Sequence, residues 1–134
     1  METAPQAITL HRKSAQLELQ FPDEEPFFLT AEYLRVYSPS AEVRGHGKGQ
    51  EILQTGKRDV LITAIEPMGN YAIRLDFDDG HKTGIYSWGY LHELCHNNEK
   101  LWQEYIERLE AAGETRVPLP EDTQVIKIQP APDK

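Results

Sequence analysis

VLITAIEPMGNYAIRLDFDDGHKTGIYSWGYLHELC, residues Val60 to Cys95, is the stretch in which strand, turn and helix signals follow one another without a gap. Within it Tyr71, Ile73, Leu75 and Phe77 alternate with Ala72, Arg74 and Asp76, the period-two pattern of a strand with one buried face. The β-branched run VLITAI precedes it, joined through Pro67-Met68-Gly69-Asn70. Gly and Asn accept positive φ, so the two runs are expected to pair as a hairpin. Asp79-Gly80 offers a second tight turn into a short strand at Thr83 to Tyr86. Ser87 then stands where it can cap a helix carrying Trp88, Leu91 and Cys95 on one face.

Upstream, Ile8-Thr9-Leu10 and Gln16 to Leu19 alternate as two strands around a turn at Arg12 to Ala15. The acids of Pro22 to Pro26, PDEEP, lie between two prolines, which mark a loop rather than a central strand. Their charge reads as solvation. Thr30 has the chemistry of an N-cap, Glu32 faces the positive end of the helix, and Leu29 and Leu34 are spaced as a hydrophobic staple. Pro39 disfavours helical geometry at Ser38, so this helix is short, Ala31 to about Tyr37. From Ser38 to Lys57 the chain holds Gly45, Gly47, Gly49 and Gly56 and few apolar residues, the pattern of a long irregular loop of the kind that often carries function. It contains neither of the glycine-rich phosphate-binding motifs.

Downstream, Leu101, Trp102, Tyr105, Ile106 and Leu109 form one stripe of a helix spanning Glu99 to Ala112, stopped by Gly113. Such a stripe reads as core, not as a cofactor box. Only Val125 to Ile128 suggests a further brief strand, in a stretch with Pro118, Pro120, Pro130 and Pro132. The expected architecture is α+β and single-domain: a small antiparallel sheet of about five strands with three helices, one short and two longer. Residues 1–6 are expected to be flexible, 7–113 to form the domain and 114–134 a Pro-rich polar tail.

Composition bounds the function. The 134 residues carry 22 acids against 14 Lys and Arg, a net charge of −8, and the pI is near 5.1. A phosphate backbone would be repelled unless bases clustered, and Arg44 to Lys48 with Arg58 is too sparse for that. One cysteine excludes an internal disulfide and suits a reducing compartment. With no leader and no apolar run near 18 residues, the reading is a soluble cytoplasmic protein without nucleic-acid or membrane partners. A monomer is expected, or a homodimer through a strand edge.

His92-Glu93-Leu94-Cys95-His96 matches H-E-x-x-H. In zinc peptidases the two histidines bind the metal, the glutamate is general base and a third protein ligand completes the site. No H-x-x-G-x-x-H continuation follows Asn97-Asn98-Glu99, so no third ligand is in view. His92 and His96 are read as wet-side histidines at a helix C-terminus, where the dipole favours them. Cys95, on the apolar face, reads as inert packing. No complete catalytic constellation is present, and the chain is expected not to be an enzyme.

The run Leu34-Arg35-Val36-Tyr37-Ser38-Pro39-Ser40-Ala41-Glu42-Val43, then Asp78-Asp79-Gly80-His81, then Tyr86-Ser87-Trp88 to Leu94-Cys95 resembles the γ-butyrobetaine hydroxylase-like N-terminal domain family. The resemblance covers roughly Ile8 to Leu109. That family occurs ahead of the catalytic domain of 2-oxoglutarate- and iron-dependent hydroxylases, as small free-standing bacterial proteins, and as an appendage on an iron–sulfur scaffold ATPase. This chain looks like the free-standing form. In the hydroxylase version a C-x-C-x-x-C run and a later histidine hold structural zinc; carried across, those ligands fall on Ser38, Ser40, Val43 and His81. Only His81 keeps its ligand chemistry, and the resemblance therefore implies a zinc site largely lost. Ser38 and Ser40 are expected to hydrogen-bond nearby backbone instead.

Two functional readings follow. The first is a non-catalytic binding or adaptor domain with a protein partner, using Ser38, Ser40, Arg44, His46 and Trp88 near His81, and no cofactor. The second is a metal-binding accessory protein carrying iron or zinc through His46, His81 or the His92 and His96 pair, linked to iron–sulfur or 2-oxoglutarate metabolism.

Overall fold

β5 (Ala72–Phe77) is the centre of the strand-rich half, pairing antiparallel with β4 (Ile62–Met68) on one side and β6 (Gly84–Ser87) on the other. The computed structural model describes residues 3–45, 49 and 51–119. The register places Met68 opposite Ala72 and Arg74 opposite Ile85, so Pro67 and Met68 belong to the strand and the turn narrows to Gly69, with φ 55°, Asn70 and Tyr71. A central strand is covered on both faces, which corrects the one-face reading. Ala72 and Asp76 are buried along with Ile73, Leu75 and Phe77, while Tyr71, just before the strand, is 56% exposed. Asp76 tolerates this because Arg74 pairs with it at 2.9 Å.

A second three-stranded antiparallel sheet is built from β1 (Ala7–His11), β2 (Gln16–Gln20) and β3 (Phe27–Thr30). The single sheet of about five strands is thus corrected to two sheets of three. β3 escapes a reading by pattern because it is four residues long, follows Pro26 directly and ends in the cap of the next helix. Its pairing with β2 sets Leu29 opposite Leu17, and both are fully buried.

Helix α1 (Ala31–Val36) begins at Thr30, whose hydroxyl accepts from the Tyr33 amide at 3.0 Å. A fourth helix, α2 (Ala41–Arg44), corrects both the count of three and the reading of residues 38–57 as wholly irregular. It is one turn, started by Ser40, whose hydroxyl accepts from the Glu42 amide. α3 (Trp88–His96) is capped by Ser87, and α4 (Asn98–Ala112) stops at Gly113 in the left-handed region, φ 67°. The strand expected at Val125 to Ile128 lies outside the described residues.

One hydrophobic cluster joins both sheets to α1 and α3, through Leu17, Leu19 and Leu29, Leu34, Ile73, Leu75 and Tyr86, and Leu91 and Leu94. A smaller one sets Tyr105 and Leu109 of α4 against Val36. Tyrosine hydroxyls fasten these layers. Tyr33 donates to the Leu94 carbonyl at 2.7 Å and Tyr86 to the Leu34 carbonyl at 2.6 Å, so these large side chains are buried without an unmet polar atom. Arg116 grips buried Glu32 with two hydrogen bonds of 2.7 and 2.6 Å and lies 5.0 Å over the Trp102 ring.

Candidate functional site

The β5–β6 turn folds back onto the segment leaving α1, which brings Ser38, Ser40 and His81 together, with Val43 following in α2. Ser38 Oγ lies 2.8 Å from His81 Nε2 and accepts from the Ser40 amide at 3.3 Å. Thr83 donates to Ser40 Oγ at 3.0 Å, and His81 Nδ1 is 3.1 Å from Glu42 Oε2. The serines thus bond side chains as well as the backbone expected for them. His81 is only 4% exposed. Burial pulls its pKa below the ordinary imidazole value, helped by the Arg35 guanidinium and opposed by Glu42 and Asp79. Its turn is anchored by Asp79, which accepts from the His81 amide at 3.2 Å, Arg35 at 2.8 Å and Lys57 at 2.6 Å. Burial would raise the Asp79 pKa, but the hydrogen bonds from Lys57 and the His81 amide and the charges of Arg35 and Lys57 outweigh it and hold it low.

This cluster has no room to spare. A Cβ on Gly84 would stand 2.5 Å from Ser38 Oγ. Zinc held by a closed tetrahedral shell needs thiolates or imidazoles; two neutral hydroxyls, the alkyl group of Val43 and one imidazole do not fit it. Both nitrogens of that imidazole already face Ser38 and Glu42.

Beside the cluster runs a groove of about 1000 Å³ between α1, α2, residues 51–52 and α4. Its floor includes Val36, Tyr37, Val43 and Tyr90, and Ile52 stands at its rim 54% exposed. Arg44 lies 4.8 Å over the Tyr90 ring and Arg108 5.9 Å over Tyr37. Of the residues expected to form one binding loop, Ser38 and Arg44 line this groove, whereas Ser40 is occupied as the α2 cap. Trp88 is elsewhere, beside Phe21, Glu24 and His92, with its indole donating to the Asn70 carbonyl at 2.8 Å. His46 lies outside the described residues.

The β2–β3 loop corrects a further expectation. Glu24, one of the acids read as mere solvation, places Oε2 2.8 Å from His92 Nε2 and Oε1 2.6 Å from His96 Nε2. The side chain that joins the H-E-x-x-H pair therefore comes from the other end of the chain. The hydrogen bond from His92 is the largest influence holding the Glu24 carboxyl below its usual pKa, partial burial opposes it, and His96 adds to the lowering. The two imidazoles are on the wet side, as expected, with side chains 43% and 48% exposed. Cys95 is buried, and desolvation pushes its thiol up to about 12, consistent with inert packing.

Two three-stranded sheets under helices, with a His81-centred cluster at the junction of α1, α2 and the β5–β6 turn, define a small α+β domain. The chain belongs to the gamma-butyrobetaine hydroxylase-like, N-terminal family, matching it over residues 8–92. Two proteins with NMR solution structures are similar along almost their whole length. One is 42% identical, with a TM-score of 0.78 over 95% of this chain and 100% of its own. The other is 48% identical, with a TM-score of 0.74 over 96% and 94%. A protein of the DUF971 family from Acidithiobacillus ferrooxidans, known from a crystal structure, is 38% identical, with a TM-score of 0.57 over 67% of this chain and 90% of its own. These small relatives fit a free-standing member of the family. No curated protein matches the chain. Among the described residues, no helix is long and apolar enough to cross a membrane.

Proposed function

We propose that the chain is a non-catalytic binding module that takes a segment of a partner protein into the groove between α2 and α4. The observation that carries this reading is the groove itself: an apolar floor, an exposed Ile52, and two arginines lying 4.8 and 5.9 Å over tyrosine rings. A guanidinium resting against an aromatic ring is partly ordered in advance, so a partner loses less entropy by engaging it. An apolar side chain with flanks of mixed charge matches that lining, which sets Glu51, Glu104 and Glu107 beside the two arginines. A cytoplasmic setting belongs to the same proposal.

The test is affinity capture from cell extract with three baits: the natural chain, Ile52→Glu in the groove and Ile85→Glu on β6, which is 41% exposed and away from it. A protein retained by the natural chain and by Ile85→Glu but lost with Ile52→Glu supports the reading. Equal capture by all three baits, or none by any, removes it.

A further inference from the structure

We propose that Glu24, His92 and His96 form a binding site for a divalent first-row transition metal ion, using three protein ligands and leaving coordination open to water. The proposal is independent of the groove. His92 and His96 are one turn apart on α3, with ring centroids 4.2 Å from one another, the spacing at which two helical side chains reach one point. One ligand atom from each of the three residues lies within 4.8 Å of the other two.

The third ligand is presented by fixed backbone. Gln20 Nε2 donates to the Glu24 carbonyl at 2.6 Å and to the Phe21 carbonyl at 3.2 Å, and the neighbouring Asp23 takes φ 61° to shape the turn. The imidazoles are also placed from outside: Phe21 meets the His92 ring edge-on at 4.9 Å, and Phe27 lies 5.1 Å from His96. Such supports are what keep ligands aimed at a metal.

Without metal, the imidazoles hydrogen-bond the carboxylate through Nε2. Metal binding turns those same nitrogens into lone-pair donors, with the proton of each neutral ring carried on Nδ1. Each imidazole meets a different oxygen of the carboxylate, at 2.8 and 2.6 Å, and one ligand atom from each residue lies within 4.8 Å of the others. Ligand atoms around tetrahedral zinc are about 3.3 Å apart, so binding calls for small side-chain shifts rather than a backbone change. Two imidazoles and one carboxylate suit zinc and its first-row neighbours rather than calcium or magnesium. The half-exposure of both histidines leaves the outer side of the ion to solvent.

Zinc titration of tag-free full-length protein, by calorimetry and by histidine side-chain nitrogen NMR, tests the assignment. One zinc ion per chain is expected, with the largest shifts at Nε2 of His92 and His96. Glu24→Gln and His92→Ala should each weaken binding by more than about tenfold, while His81→Ala and His46→Ala leave it unchanged. Circular dichroism on each variant separates loss of ligand from loss of fold. The proposal is overturned if zinc does not bind, if Glu24→Gln and His92→Ala bind as the natural chain does, or if the shifts appear at His46 or His81 instead.

Discussion

Around His81 the polar atoms point inward and are already engaged, whereas around His92 and His96 the same imidazole chemistry stands half in water beside a single carboxylate. The first cluster occupies the place where family resemblance puts a metal; the second has no counterpart in that pattern. Histidine alone does not make a metal site. What separates the two regions is whether the surrounding donors are ones an ion accepts and whether they can still be freed. Ser38 and Ser40 spend their hydroxyls on His81, Thr83 and the start of α2, so the closed cluster behaves as a structural clasp. The Glu24 carboxylate hydrogen-bonds His92 and His96, contacts that a metal would replace with stronger ones.

The most forceful way to break this comparison is to restore sulfur to the closed cluster. Ser38→Cys, Ser40→Cys and Val43→Cys combined would put thiols at the three positions that family resemblance assigns to zinc, with position 38 already lying against His81. Thiolates should then give the tetrahedral shell that hydroxyls and an alkyl group cannot. Thermal unfolding should become zinc-dependent, with a stabilisation of about 2.7 kcal/mol when free zinc reaches a hundred times Kd. If the triple variant folds but melts at the same temperature with and without zinc in a Glu24→Gln background, the contrast between the clusters is not one of donor chemistry.

Crowding offers a test of intermediate size. Gly84→Ala places a methyl 2.5 Å from Ser38 Oγ and 3.1 Å from the Tyr86 ring, and overpacking of this kind costs about 1–3 kcal/mol. Ser38→Ala removes the atom in the way, so urea melts of the double variant should show a loss smaller than the sum of the two singles. Strict additivity would mean that Gly84 is needed for another reason. Glu24→Gln, made in the open cluster without metal, should leave stability nearly unchanged, as exposed pairs do.

Much of the scaffold could be read from residues alone, and the reasons are visible in particular elements. α4 shows an apolar stripe over fifteen residues, and α1 and α3 each begin at a hydroxyl that caps them. β3 and α2 are only four residues each, too short for periodicity to register. The closed cluster was legible through family resemblance, since Ser38 and His81 are 43 residues apart and only the β5–β6 turn joins them. Glu24 was not, because 68 residues separate it from His92. The acids of PDEEP look like solvation until β3 pairs with β2 and hangs their loop over α3. The pair at His92 and His96 was the available signal. What it lacked was any local cue to where the third side chain would come from.

The gentlest probe of the contrast is acid. Burial keeps His81 neutral in the folded chain, with Arg35 adding to the effect and Glu42 and Asp79 working against it. Its folded pKa is therefore below the unfolded value of about 6.5. Between those two values the unfolded chain binds the extra proton, so this residue's contribution is fully present above about pH 6.5 and is lost as pH falls through the folded pKa. The slope for one proton cannot exceed about 1.4 kcal/mol per pH unit. Unfolding free energy measured in urea from pH 7.5 to 5.5 should decline, and His81→Asn should flatten that decline while lowering stability at every pH. An unaltered slope in His81→Asn would mean that the buried imidazole is not what acid attacks, and the closed cluster would lose its distinction from the open one.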